Sequence, residues 1–197
     1  MMFCNFAKNN SVSEEKITHK QRKLKVEKLL KDIESGDIKK ISPALDALQV
    51  YGDSSVIQPL FDIIGQDTDE TVKNEIQEFL SSLKDSSAKE TVIGILRGAS
   101  QEEQIIRILS TIWNSPLDYS SYVADFVKAA VRGNFMVALE CLTILENLEG
   151  PFEEEALMES QLLLKEYHEQ KDKDGQKHHM MSEIAILIKD FDKNTVD

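Results

Sequence analysis

Glycine and proline are scarce in this chain, eight and four in 197 residues, and no stretch alternates apolar with polar residues as a half-buried strand would. A turn-rich β architecture is excluded. The two cysteines, Cys4 and Cys141, stand far apart without metal-ligand spacing, which excludes a disulfide framework or thiolate metal site and suits a reducing compartment. No apolar run approaches the roughly 20 residues that span a bilayer, and the opening MMFCNFAKNN is too short for the apolar core of a signal sequence. The expectation is a soluble, cytoplasmic protein without a membrane contact. Positive charge is also short: 23 Lys and Arg stand against 35 Asp and Glu, a net charge of -12. That balance opposes phosphate backbones and anionic surfaces, so no nucleic-acid partner is expected. The basic groups gather at the N-terminus, where residues 1–35 hold 8 basic and 5 acidic side chains, against 9 and 17 in residues 36–148 and 6 and 13 in residues 149–197.

Apolar residues instead recur at steps of three and four almost throughout, the pattern of amphipathic helices. Helices are expected over 16–34, 38–51, 54–65, 69–83, 87–97, 101–114, 119–132, 134–148, 152–170 and 178–190.

Shifting the chain against itself by 32 residues superposes YGDSSVIQPLF on LKDSSAKETVI. Asp53-Ser54-Ser55 falls on Asp85-Ser86-Ser87, and Val56, Leu60, Ile63 and Ile64 fall on Ala88, Val92, Ile95 and Leu96. The preceding helices match too: Ala44, Ala47 and Leu48 correspond to Ile76, Phe79 and Leu80, to Ile108, Thr111 and Ile112, and, with one inserted residue, to Cys141, Ile144 and Leu145. A looser third copy has Asp118-Tyr119-Ser120-Ser121 before Val123, Phe126, Val127 and Ala130. The unit is two helices joined by a short turn, repeated every 32 to 34 residues. One such pair cannot bury its apolar faces alone, and stacked pairs can.

The stretch ALDALQVYGDSSVIQPLFDIIGQDTDETVKNEI resembles the HEAT repeat family of the armadillo-like class, through Leu48, Gly52, Asp53, Val56, Pro59, Leu60, Asp67, Asp69, Val72 and Lys73. The resemblance covers about residues 37–148 and weakens after the first repeat. It implies an all-α fold, a right-handed superhelix of stacked helix pairs. Lys73, where the family usually has Arg, permits a ladder of Asp to cation contacts between repeats, as a point charge rather than a fork. The expected organisation is an N-terminal tail over 1–15 and a single solenoid domain over 16–197: a cap helix at 16–36, repeats over 37–148 and capping helices over 149–197.

Candidate chemistry is thin. The Asp-Ser-Ser triplets lack the nucleophile elbow and paired His of a hydrolase, and they read as helix caps, with Asp53 or Ser55 as acceptor and capping boxes at Ser55/Gln58, Ser87/Glu90 and Ser100/Glu103. His179 and Glu183, four apart, could face one ion, but no third ligand follows, so His178 and His179 read as a solvated helix start. Glu153, Glu154 and Glu155 after Pro151 suit a helix N-terminus, and DTDET lacks the glycine and distal Glu of a calcium loop. Trp113, Tyr119, Tyr122 and Phe126 read as core, with an exposed aromatic anchor as the alternative. No catalytic residue, metal or cofactor is expected.

The resemblance implies recognition of another protein along the second helix of each pair. Its outward positions are Gln58, Asp62 and Gln66, then Glu90, Thr91 and Arg97, then Tyr122, Asp125, Lys128 and Arg132. The expected function is a non-catalytic adaptor or scaffold. The alternatives are a helical-repeat enzyme or lyase acting on a modified base or pigment, disfavoured by charge and few aromatics, and a regulatory subunit of a larger complex.

Overall fold

The computed structural model describes residues 19–170 and 175–194, which are all-α with no strand. The helices are α1 (His19–Glu34), α2 (Ile38–Tyr51), α3 (Ile57–Ile64), α4 (Glu70–Ser81), α5 (Ser87–Gly98), α6 (Glu102–Trp113), α7 (Val123–Arg132), α8 (Phe135–Leu145), α9 (Glu154–Glu169) and α10 (Gly175–Asn194). The expected tail over 1–15 lies outside the described residues. Two expected helix starts, at 54 and 119, are instead short 3-10 turns, Ser54–Val56 and Ser120–Tyr122. The last helix begins three residues before the expected 178, so the expected polar loop is shorter.

Most helix starts between α2 and α8 carry a local polar signal. Asp37, Asp53, Asp69 and Asp85 accept a hydrogen bond from the backbone N–H two residues on, at Lys39, Ser55, Thr71 and Ser87. After the extra residue, Asp118 does the same for Ser120, and Asn134 accepts from the N–H of Val137. These six positions fall on a 16-residue grid, half the 32-residue repeat, with one gap at Gln101, which precedes α6 in extended conformation without a side-chain cap. The acceptors satisfy N–H groups that the first helical turn leaves unpaired. The expected capping boxes do not form. The aspartates take the first-turn bond, and Ser55 Oγ and Ser120 Oγ donate to Asp53 and Asp118 at 2.5 and 2.6 Å.

The apolar positions aligned by the 32-residue shift are buried, Ala47 alone being partly exposed. Thr111, the polar departure, is buried and donates to the Arg107 carbonyl at 2.9 Å. Burying a Leu, Ile or Phe side chain contributes about 1.5–3 kcal/mol, so this recurrent stripe is the main favourable term. The consecutive helices in closest contact are α1–α2, α3–α4, α5–α6, α7–α8 and α9–α10, one helix out of step with the expected pairs α2–α3, α4–α5, α6–α7 and α8–α9, whose second members are the odd helices. Odd helices also touch in succession from α1 to α9, and even helices from α2 to α10. The result is two contiguous rows around one core.

The terminal helices are tied by cations to carbonyls at other helix ends. Arg22 on α1 donates to Tyr51 O and Gly52 O at 2.7 and 2.8 Å, and Lys25 Nζ lies 3.3 Å from the centroid of the Tyr51 ring. Lys177 on α10 donates to Val131 O and Gly133 O at the end of α7. Helix C-termini present unpaired carbonyls and partial negative charge, so a cation there is stabilising.

Candidate interaction surfaces

The odd row carries the residues expected to meet a partner. On α5, α7 and the 3-10 turn leading into α7, four of them form one cluster. The Arg97 guanidinium donates to both carboxylate oxygens of Asp125, at 2.7 and 2.9 Å, and a third nitrogen lies 3.3 Å from Glu90. Tyr122 donates its hydroxyl to the other Glu90 oxygen at 3.1 Å. The Asp125 bonds, with the nearby Glu90, raise the pKa of Arg97. Burial first, then Glu90, raises that of Tyr122. Lys128 continues the strip to Glu159 on α9 at 3.4 Å. Glu159 was not singled out from the sequence; it follows Lys128 by 31 residues, one short of the 32-residue repeat. Gln58 and Asp62 pair with each other on α3 at 2.8 Å. Gln66 and Arg132 are exposed, and Thr91 is half-buried.

The even row has its own ladder, and here the expectation changes. Lys73 does not use the turn aspartates. Its Nζ lies 3.1 Å from Glu70 and 3.8 Å from Glu103, and Arg107 lies 2.7 Å from Glu70 and 3.6 Å from Glu103. Two carboxylates and two cations thus alternate between α4 and α6, with Lys73 only 9% exposed. Arg107 first, then Lys73, holds the Glu70 carboxyl below its usual value. The first-turn glutamates of α4 and of α6, its neighbour in the even row, are the acids that lie within reach of Lys73. Asn134 extends the series by donating to Glu102 at 2.7 Å. A cleft of about 900 Å³ opens over Lys73 and Arg107. Its cations are already neutralised by these glutamates.

The aromatic set divides. Tyr119 and Phe126 are buried as expected, and burial pushes the Tyr119 hydroxyl up to about 12. Trp113 contradicts the core expectation: it ends α6, where the helix leaves the core, and is 44% exposed. Tyr122 lies between, its hydroxyl on Glu90.

The reactive-looking groups are taken up locally. The Asp53 carboxyl is lowered by hydrogen bonds from Ser55, with Arg22 and His19 of α1 adding a favourable field. His179 and Glu183 are exposed, whereas His178 is half-buried, 5.2 Å from the His168 ring, so only part of that helix start is solvated. Among the described residues no three His, Cys, Asp or Glu side chains gather as metal ligands. Cys141 is fully buried, which raises its thiol pKa. No described helix is long and apolar enough to cross a membrane.

No protein-family model matches the chain, and no curated protein or solved structure matches it.

Proposed function

We propose that the chain is a non-catalytic, cytoplasmic adaptor of HEAT-like repeats, its helix pairs stacked in a right-handed superhelix, which binds another protein along the odd helices. The 16-residue grid of caps, the 32-residue apolar repeat and the two contiguous rows support the stacked-repeat reading.

The observation that carries the binding reading is the fixed polar strip over α5, α7 and α9. Arg97, Asp125, Glu90 and Tyr122 hold one another in place, and Lys128 meets Glu159. Side chains already positioned lose little freedom on association, and charged groups in fixed order favour one partner over others. Gln58, Asp62, Gln66, Thr91 and Arg132 complete the surface. The assignment from fold to partner binding is by analogy, and the strip supports its location on the odd row.

The test is affinity capture with the wild type and with Lys128→Glu/Arg132→Glu. A partner held by the wild type and reduced roughly tenfold or more by the reversal is expected. Equal recovery by both, with unchanged melting curves, contradicts the assignment.

A further inference from the structure

A second surface lies where the α6–α7 turn meets the α8–α9 turn. The two turns enclose an open cleft of about 550 Å³. Its floor is made by buried Ile112, Tyr119 and Ile144, and Trp113 forms an exposed wall. Leu117 and Leu148, both half-buried, add apolar surface. Asp118 and Glu149 supply the only charges of the lining, which contains no Lys, Arg or His.

The molecule contains its own control. An equivalent cleft of about 520 Å³ lies between the α2–α3 and α4–α5 turns. There Lys84 accompanies Asp53 and Asp85, and the one aromatic, Phe79, is buried. A cleft at this edge is therefore a product of stacking. An exposed indole beside a rim whose lining holds Asp118 and Glu149 but no cation is particular to the later junction, and Lys89, a cation that reaches it from outside the lining, sits at Asp118. Asp118 is partly occupied: its Oδ1 accepts from Ser120, and its carbonyl accepts from Lys89 at 3.0 Å. Glu149, exposed, is the freer carboxylate.

We propose that this cleft takes a basic peptide segment of a partner protein, with one Lys or Arg over the Trp113 indole and against Glu149, and a neighbouring apolar side chain on Leu117 and Leu148. Three features select that occupant over an acidic or purely apolar one. An indole face attracts a cation, the rim is acidic with no cation in the lining, and the chain as a whole carries -12. An exposed Trp over an apolar floor is the composition from which interface anchors are made. This surface adjoins the odd-helix strip where the Tyr119 and Tyr122 ring centroids lie 6.2 Å apart, but Trp113 and Glu149 belong to the cleft alone, so substitutions there test its occupancy separately from that of the strip.

Trp113 is the chain's one tryptophan, so its emission reports the cleft directly. The experiment titrates the full chain with an unlabelled Arg-Leu-Arg peptide flanked by Gly and Ser, followed by Trp113 emission and by calorimetry. A saturable emission change is expected below about 1 mM peptide, weakened by added salt. Glu149→Lys and Trp113→Ala, with melting curves near that of the wild type, should each weaken binding in calorimetry by roughly fivefold or more. The proposal is overturned by no response to 1 mM, by equal binding to Glu149→Lys, or by an acidic Glu-Leu-Glu peptide binding as well. It is also overturned if spermine, cationic without an apolar side chain, acts as strongly, or if emission changes with protein concentration alone, which would make a second copy the occupant.

Discussion

Arg97 on α5 grips both carboxylate oxygens of Asp125 on α7, 28 residues further along the chain. This pair joins two helices that are not consecutive in sequence. Asp125 is largely shielded while Arg97 is half exposed, so water screens part of the attraction. A double-mutant cycle of Arg97→Ala and Asp125→Ala should give a coupling of about 0.5–1 kcal/mol, falling at high salt. Zero coupling at low salt would remove the pair as a tie between repeats.

The gap in the capping grid predicts a gain. Gln101→Asp places a short acceptor at a site whose backbone is already extended and whose helix begins without a cap. Thermal melting should show stabilisation of about 0.5–1 kcal/mol. In the opposite direction, Asp53→Ala should cost about 1 kcal/mol, and Asp85→Ala should lower the melting temperature in the same sense. An unchanged melt for both alanine variants would show that the triplets do not secure these helix starts.

Stability should decline at both ends of the pH range. Hydrogen bonds from Ser55, Thr71 and Ser87 depress the folded pKa values of Asp53, Asp69 and Asp85, and Arg107 depresses that of Glu70. The unfolded chain therefore takes up protons first, and this contribution, complete above about pH 5, is lost as pH falls through 4 and below. Tyr119 acts in the opposite direction. Its folded pKa is raised to about 12 from an ordinary 10.0, so its contribution is present below pH 10 and lost between 10 and 12. Urea midpoints across pH check both limbs, and Tyr119→Phe should flatten the alkaline one.

Cys141 offers a kinetic probe. It is buried in α8, and its raised pKa leaves almost no thiolate at neutral pH. In a Cys4→Ser variant, a thiol reagent should react with the native chain far more slowly than with the urea-unfolded chain. Comparable rates would mean that α8 opens readily.

Much of the fold was legible because it depends on spacing within single helices. Val56, Leu60, Ile63 and Ile64 had to face one way, and they do. Asp53, Asp85 and Asp118 announced helix starts through local bonds two residues long. A 32-residue shift, however, hides the half-repeat that also includes Asp37 and Asp69. The partners of Lys73 were not legible, since several acids three or four residues apart could face it and helix stacking decides which do. Lys177 reaches the α7 carbonyls 44 and 46 residues away, and no local pattern announces that. Trp113 was misplaced because apolar periodicity locates a helical face but not where a helix end leaves the core. Helical position alone could not show that Glu90, Arg97, Tyr122 and Asp125 of the expected partner surface would be linked into one unit, because that linkage comes from the packing of α5 against α7.

Hydrogen exchange of the chain, alone and with the partner captured on it, tests recognition along the odd helices most directly. Added protection is predicted over α3, α5 and α7, strongest around Arg97 and Asp125, with α4 and α6 unchanged. Protection confined to the even helices, or none outside the Trp113 cleft, would contradict it.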